Sequence, residues 1–241
     1  IAGRFAEAER LLDDVIARRT RLYGEDDIRV VSARLTLGTL SNEQEHYARA
    51  EELMKPLLPQ VERVYGAEHP RTLVVLMNLG SAIRYQGHYE EARPYYKRSL
   101  ALAHKLYGPN SPRSLMAEGN MSLMLRDAGD LDAAERHARH VADQAETAFE
   151  GNPYRASMYR GLATILVLQG KYGEAERELQ RAWDLFESAP AYGPAHPRSQ
   201  EVVDGFIALY AAWGKPALEA EWVARRVPPP GTSATEAAPR P

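Results

Sequence analysis

Residues 65–92 read YGAEHPRTLVVLMNLGSAIRYQGHYEEA, and this stretch holds the signals from which the fold can be inferred. Pro70 follows a potential capping side chain, His69, at a position where the missing N–H of a proline costs nothing in the first turn of a helix. Apolar residues then recur at helical spacing, and Gly87 is the residue type that most freely adopts the left-handed conformation at a helix end. A second apolar stripe begins almost at once and includes Ala92. The stretch therefore predicts two helices joined by a tight turn.

Three landmarks of this stretch recur along the chain with a period of 42 residues. Tyr-Gly pairs occupy residues 23–24, 65–66 and 107–108, and an aromatic residue or Leu followed three residues later by Ala marks the second helices. A glycine precedes that marker, except in the second copy, where Glu45 takes its place. The marker pairs are Phe5/Ala8, Tyr47/Ala50, Tyr89/Ala92, Leu131/Ala134 and Tyr172/Ala175. A shared period indicates a repeat protein in which each helix pair buries its apolar face against its neighbours.

The repeat assigns residues 1–227 to one ordered array. Pro56, Pro59 and Pro94 fall inside predicted second helices, where we expect bends or early fraying because each proline removes a hydrogen bond. Residues 228–241, rich in Pro and Ala, are expected to form a disordered tail. Helix pairs are predicted near 28–64, 70–106, 112–148, 153–188 and 197–226, after a half repeat at 1–22.

The first copy contains only a second helix, so the chain begins in the middle of a repeat. Half a repeat cannot bury its own apolar face. We therefore expect the polypeptide to continue upstream of Ile1, and an N-terminal effector domain of the same polypeptide is one expectation for that part.

Three motifs of the helix pair resemble the tetratricopeptide repeat: Gly-x-Tyr-x-x-Ala at 87–92, Asn-Leu-Gly at 78–80 and Tyr-Gly-x-x-His-Pro at 65–70. The period and the His-Pro linker are similar to those of the kinesin light chain subtype, and residues 191–213 resemble the end of the repeat tails of bacterial serine/threonine protein kinases. The resemblance implies an all-α fold, a right-handed α-solenoid (superhelix) of antiparallel helix pairs with about five and a half repeats. It further implies a non-catalytic protein–protein interaction module in a larger bacterial signalling protein.

In this family the first helices line a concave groove, and the resemblance implies that the groove binds an extended peptide or partner segment. Asn78 and Asn120 lie one period apart, as do Arg84 and Arg126, so each pair is expected to form a row on neighbouring repeats. An Asn amide can bind the N–H and C=O of a peptide at once, and an Arg can form a fork with a carboxylate. The structural alternative is that the Asn side chains bond across the seam between helices and the Arg side chains are solvated. The residues that the resemblance places on the groove are Asn42, Met77, Asn78, Ser81, Arg84, Tyr85, Asn120, Leu123, Arg126, Arg160 and Thr164.

Two other functions remain open at this point. In the first, the superhelix would be a regulatory sensor that tightens around a peptide or small ligand and controls an attached effector. In the second, it would be a structural spacer or self-association module. Loss of partner capture on replacing Asn78 and Asn120 would favour peptide binding over the spacer.

The composition excludes several classes of protein. The 241 residues contain no Cys, which excludes a disulfide scaffold, a Cys-ligated zinc site and a cysteine nucleophile. The net charge of −3 provides no general basic field for nucleic acid. No apolar run reaches the roughly 18 residues of a membrane span, and no secretion signal is visible. We therefore expect a cytoplasmic protein without nucleic acid or membrane partners.

Metal-binding and catalytic motifs are weak. His137 and His140 lie on one predicted helix with Asp143 a turn further, but on an exposed face, and a structural site needs about four converging ligands. No phosphate-binding loop, nucleophile elbow or dinucleotide fingerprint occurs. We expect no metal, no cofactor and no enzymatic activity.

Overall fold

The computed structural model describes residues 2–152, 154–187, 193 and 195–227, and within them all regular structure is α-helical. The helices are α1 (Ala2–Tyr23), α2 (Ile28–Glu43), α3 (Tyr47–Tyr65), α4 (Pro70–Tyr85), α5 (Tyr89–Tyr107), α6 (Pro112–Asp127), α7 (Leu131–Ala148), α8 (Arg155–Leu168), α9 (Tyr172–Glu187), α10 (Pro197–Trp213) and α11 (Pro216–Val223). Even-numbered helices are the first helices of their pairs, and odd-numbered helices are the second helices. The all-α repeat fold expected from the sequence is confirmed, while the tail at 228–241 lies outside the described residues.

Side chains cap the starts of the first helices. Asp27 accepts the N–H of Arg29 at 2.9 Å, and one repeat later His69 Nδ1 accepts the N–H of Arg71 at 3.1 Å. Ser111, a further repeat along, caps α6 with its hydroxyl. Each cap satisfies an N–H group that has no partner inside the helix. The three caps share this role but differ in charge, since one is a carboxylate and two are neutral acceptors.

The turns after the first helices pass through the left-handed region of backbone conformation. Gly87 and Gly129 have φ angles of 84° and 83°, and Gly170 and Gly214 have 73° and 71°, as the sequence predicts. Glu45 takes the equivalent place after α2 with a φ of 62°. A side chain in this region brings Cβ close to a carbonyl oxygen. The second copy therefore carries a strain that the glycine copies lack.

Of the two outcomes expected at the internal prolines, bends or early fraying, early fraying does not occur. α3 continues through Pro56 and Pro59 to Tyr65, and α5 continues through Pro94 to Tyr107. All three prolines are exposed, so water can reach the carbonyl that each leaves without an intrahelical partner. The opposite side of each helix is buried, and this packing holds the helix together beyond the proline.

The chain divides into two compact units, Ile1–His137 and Ala138–Pro241, at a boundary within α7. In the first, which we call unit 1, α4 packs against the first helices α2 and α6 and against the second helices α3 and α5. In unit 2, α8 packs against α9 and α10, and α10 packs against α9 and α11. Each unit therefore buries its core between helices that are close in sequence.

Glycines of the first helices allow a close approach to large side chains of the second helices. A Cβ added at Gly80 would lie 3.3 Å from the ring of Tyr96, which is fully buried. At the equivalent position of α2, a Cβ on Gly38 would lie 2.6 Å from Met54 Cε. At Gly80 the Tyr96 ring would have to move by a few tenths of an ångström to admit a Cβ, whereas at Gly38 the flexible end of Met54 would have to turn away.

Aromatic rings close the last helix pair of unit 2. The Trp222 ring stacks on Phe206 with centroids 3.8 Å apart and meets Trp183 edge-on at 5.1 Å. α11 has only 8 residues, and Trp222 is its buried side chain. One large ring thereby supplies the apolar surface that a short helix otherwise lacks.

Glu45→Gly is expected to raise the free energy of unfolding by up to about 1 kcal/mol, the left-handed strain released less the added freedom of glycine in the unfolded chain. Gly87→Ala is the matched control. An added Cβ there meets nothing within 4 Å, so its expected loss of about 1 kcal/mol arises from the backbone alone. Urea unfolding measures the free energy of unfolding of both variants. Equal stability of Glu45→Gly and wild type would contradict the assignment of backbone strain to Glu45.

Candidate functional site

The outward side chains of α2, α4 and α6 form one surface of unit 1, which we call the first-helix face. α4 lies between α2 and α6, so equivalent positions of three repeats are side by side on this face. Arg160 and Thr164 belong to α8 in unit 2. The predicted site residues on α2, α4 and α6 are Asn42, Met77, Asn78, Ser81, Arg84, Tyr85, Asn120, Leu123 and Arg126.

The amide of Asn78 bonds across the seam between α2 and α4. Its Nδ2 donates to Thr39 Oγ1 at 3.2 Å. Asn42 Nδ2 donates to the main-chain carbonyl of Asn78 at 2.8 Å and to its Oδ1 at 3.3 Å. Both ends of the Asn78 amide are therefore used, which matches the structural alternative for this residue.

Asn120 occupies the equivalent position one repeat later, but its side chain makes no hydrogen bond within the part of the chain that the structure describes. The places of Thr39 and Asn42 are taken in that repeat by Ser81 and Arg84, whose side chains bond to other groups. The two asparagines therefore differ because their neighbours differ. The half-buried Asn120 amide keeps its donors and acceptor for a group outside these residues.

One carboxylate holds both predicted arginines. Arg84 Nε donates to Asp127 Oδ2 at 2.8 Å, and Arg126 Nε donates to Asp127 Oδ1 at 2.8 Å. The Arg84 side chain is only 5% exposed, whereas 22% of the Arg126 side chain is exposed. A buried charge requires such a partner. The cluster keeps one positive charge in excess, and Arg126 is the member that a ligand can reach.

Three tyrosines, Tyr47, Tyr85 and Tyr96, lie around the C-terminal end of α4. Burial raises the pKa of Tyr96, whose hydroxyl lies 3.2 Å from Ser81 Oγ. Tyr85 is 55% exposed and stacks on Tyr47 with centroids 4.5 Å apart. Burial, with a smaller contribution from the charge of Glu45, raises the pKa of Tyr47. The exposed part of this stack is an uncharged aromatic surface at the edge of the first-helix face.

Apolar side chains lie along the middle of the face. Val74 and Met116, at equivalent positions of α4 and α6, are 39% and 37% exposed. Met77 and Leu123 are half-buried nearby. Single exposed apolar residues are ordinary, but adjacent ones form the kind of patch that binding sites use.

Sequence reasoning missed two arginines at the start of the face. The Arg71 guanidinium lies over the Tyr65 ring, and that of Arg113 lies over the Tyr107 ring, each 4.9 Å from the centroid. Neither forms an ion pair within the described residues. The signal was available, since an Arg follows each tyrosine of the Tyr-Gly pairs at the same spacing in three successive repeats.

Arg29, the equivalent residue of the repeat before, is neutralised. Its guanidinium lies 3.4 Å from the Tyr23 centroid, and its Nε and Nη2 donate to the two oxygens of Asp27 at 2.8 and 2.9 Å. Hydrogen bonds from the side chain and then the main chain of Arg29 lower the pKa of Asp27 to about 2. The carboxylate therefore stays charged, and this position offers no free positive charge.

In unit 2 the predicted residues have partners within the unit. Arg160 Nη2 lies 2.8 Å from Glu201 Oε2 on α10. Thr164 Oγ1 donates to the main-chain carbonyl of Arg160 at 2.9 Å. These contacts connect neighbouring first helices and one turn of α8.

Among the described residues, no group of three or more His, Asp and Glu could hold a metal ion. The Nδ1 of His137, considered above as a ligand, lies 2.9 Å from Oε1 of the buried Glu118. None of the helices in the described ranges has the length and apolar character needed to cross a bilayer.

The family profile of the tetratricopeptide repeat matches residues 42–105, 71–147 and 113–188, and a second tetratricopeptide repeat profile matches residues 1–29. These matches include more than half of the chain. A search of curated proteins finds no match.

Solved structures of low sequence identity share the fold. BtubC (BKLC) from P. vanneervenii is 16% identical with a TM-score of 0.72, and the match covers 98% of this chain and 99% of that one. TPR-like repeats of Podosopora anserina, assigned to the kinesin light chains, are 17% identical with a TM-score of 0.67 and coverage of 81% and 92%. The Rap protein complexed with Competence and Sporulation Factor is 18% identical with a TM-score of 0.70, and the match covers 90% of this chain and 57% of that one.

Asn78→Ala is expected to lower the free energy of unfolding by about 1 kcal/mol, because the bonds of its amide to Thr39 Oγ1 and Asn42 Nδ2 are lost, while Asn42 keeps its bond to the main-chain carbonyl of residue 78. Asn120→Ala breaks no hydrogen bond within the described residues and should change stability by less than about 0.5 kcal/mol. Urea unfolding compares the two variants. Equal losses would show that the two amides have the same structural role, contrary to the geometry.

Asp127→Asn is expected to lower the free energy of unfolding by about 2 kcal/mol or more, since Arg84 would remain buried and charged without its carboxylate. Arg126→Gln keeps the Arg84–Asp127 pair and should lower it by less than about 1 kcal/mol. Thermal and urea unfolding check this order of stability, and the reverse order would contradict it.

Proposed function

The chain belongs to the tetratricopeptide repeat family, and we propose that its first-helix face binds an extended segment of a partner protein across α4 and α6. Repeats of this family imply a protein–protein interaction scaffold. The proposal adds the surface that makes the interaction and the role of individual residues. It also assigns the module no catalytic step of its own.

The observation that carries the proposal is the combination of exposed apolar side chains with an amide that has no hydrogen-bond partner among the described residues. Val74 and Met116 are exposed apolar residues at equivalent positions of α4 and α6, two helices that pack against each other. Asn120 lies one turn beyond Met116 on α6, and no group in the described residues bonds to its amide. Burial of the apolar pair by a partner would contribute binding energy, while the amide would set the position of a peptide group.

The other end of the face extends the same site. Tyr85 offers an aromatic surface, and Arg126 offers the excess charge of the Asp127 cluster. Asn78 and Arg84 are assigned to the scaffold instead, because the seam and Asp127 already use them. An extended partner that crosses α4 and α6 would therefore meet an amide, apolar side chains and a limited positive charge.

The comparisons support this proposal at the level of the fold. The solved Rap protein is a complex with Competence and Sporulation Factor, so a fold similar to this one holds a bound factor in that protein. The sequence resemblance to kinase repeat tails supports a place in a bacterial signalling protein, where such a module would recruit a partner to an effector.

Selection from a displayed library of random peptides of about 12 residues tests the proposal, since at about 3.3 Å per residue such a peptide can cross several helices about 10 Å apart. The full chain should recover binding peptides. Asn120→Ala and the Val74→Ala/Met116→Ala double variant should each weaken the recovered peptides by roughly tenfold or more, measured by fluorescence anisotropy.

Asn110→Ala is the matched control, because Asn110 is exposed in the turn before α6 and outside the face. It should bind as wild type does. Asn78→Ala should also bind the peptides at temperatures where it is folded. Recovery of no peptide, or equal binding by all the variants, would refute the assignment of the site to this face.

A further inference from the structure

We propose that the partner segment is acidic and that its carboxylates bind Arg71 and Arg113; this inference rests on the proposed function. Arg71 and Val74 lie one turn apart on α4, and Arg113 and Met116 lie one turn apart on α6. Each of two adjacent repeats therefore presents a positive charge beside an exposed apolar side chain. An acidic segment with apolar residues between its charges complements this pattern.

The two guanidinium groups are held in place before any ligand binds. The Tyr65 ring under Arg71 is fixed by its hydroxyl, which donates to the main-chain carbonyl of Ile28 at 3.2 Å. Arg113 Nη1 donates to the Tyr107 hydroxyl at 3.0 Å while the group lies over the same ring. A planar group stacked on an aromatic ring has lost part of its rotamer freedom already, so less entropy is lost on binding.

The capping residues explain why these arginines are free. In the repeat before, Asp27 caps α2 and also binds both Nε and Nη2 of Arg29. The equivalent residues, His69 and Ser111, cap α4 and α6 without a negative charge. All three helix starts are therefore capped by a side chain, but in two of the three repeats the cap does not neutralise the arginine.

The charge available here belongs to the side chains and not to the helix ends. The main-chain N–H of Arg71 already donates to His69 Nδ1. In α6 the main-chain N–H of Ser114 donates to the hydroxyl of the cap, Ser111. A bound carboxylate would thus bond to guanidinium groups, which form forked and charge-assisted hydrogen bonds.

The spacing of the two arginines fits an extended ligand. Neighbouring packed helices lie about 10 Å apart. A polyproline II segment has three residues per turn and rises about 3.1 Å per residue, so side chains at i and i+3 point the same way about 9 Å apart. Acidic residues three positions apart in such a segment can contact Arg71 and Arg113 together.

The test changes the caps and leaves the arginines in place. His69→Asp/Ser111→Asp recreates at two helix starts the pairing that Asp27 has with Arg29, and it keeps a good capping residue at each. Peptides selected by the wild-type chain should be enriched in Asp and Glu at spacings of three. The double variant should bind them roughly tenfold or more weakly. Binding by the wild type should weaken as ionic strength rises from about 25 mM to about 250 mM.

Lys97→Gln/Arg136→Gln is the charge-matched control, because both residues are exposed on second helices of unit 1 and the net charge changes by the same amount. It should bind the peptides as wild type does. Asp27→Ser is the reciprocal variant: it keeps a cap and frees Arg29, so acidic peptides should bind at least as tightly as to wild type.

The outcomes separate the two proposals. Selected peptides that lack acidic residues, or that bind His69→Asp/Ser111→Asp as tightly as wild type, overturn the acidic partner and leave the peptide-binding face intact. An equal loss of peptide affinity in Lys97→Gln/Arg136→Gln also overturns the acidic partner, since the change in net charge alone would then explain the weaker binding. Failure of the wild-type chain to recover any peptide removes the binding face, and the acidic partner with it.

Discussion

The close approach of the first helices α2 and α4 to the second helices α3 and α5 is the constraint on which the first-helix face depends. Gly80 lies against the Tyr96 ring and Gly38 against Met54, with no room for a larger residue unless its neighbour moves. These contacts place the large side chains of the core on one side of α4. The opposite side is released from core packing, and its residues can change from one repeat to the next while the helix pair stays the same. The first-helix face is the result of that freedom.

Much of the fold could be predicted because the decisive signals are local. A capping side chain before Pro70 and a left-handed Gly87 define the start and end of α4 without reference to any distant residue. The absence of fraying at Pro56 and Pro94 has a cause that is not local. Intrahelical hydrogen bonds alone would predict fraying there, but the solvent exposure of these prolines and the burial of the opposite side are tertiary facts. Local rules therefore predicted where helices begin and end, and failed where packing decides.

The candidate site was less predictable, since equivalent positions do not share partners. The repeat alone makes Asn78 and Asn120 alike, yet Thr39 and Asn42 bond to the first, while their counterparts Ser81 and Arg84 bond elsewhere. The repeat period predicts which residues occupy equivalent positions, but it does not predict which neighbouring group a polar side chain bonds to. The identity of every polar residue around the position is needed for that, together with its rotamer.

Capping chemistry connects the fold to the surface in this protein. At the N-cap, Asp and Ser are about equally favourable, and His69 Nδ1 also accepts a main-chain N–H at the start of its helix. The caps differ in their effect on the arginine two residues later. Asp27 forms an ion pair with Arg29, whereas His69 and Ser111 leave the charges of Arg71 and Arg113 without a carboxylate partner among the described residues. A change of cap therefore alters the electrostatics of the first-helix face at little cost to the helix. The uncharged caps of α4 and α6 are thus more informative about a partner than the arginines alone, since α2 of the same protein has a capping residue, Asp27, that neutralises its arginine.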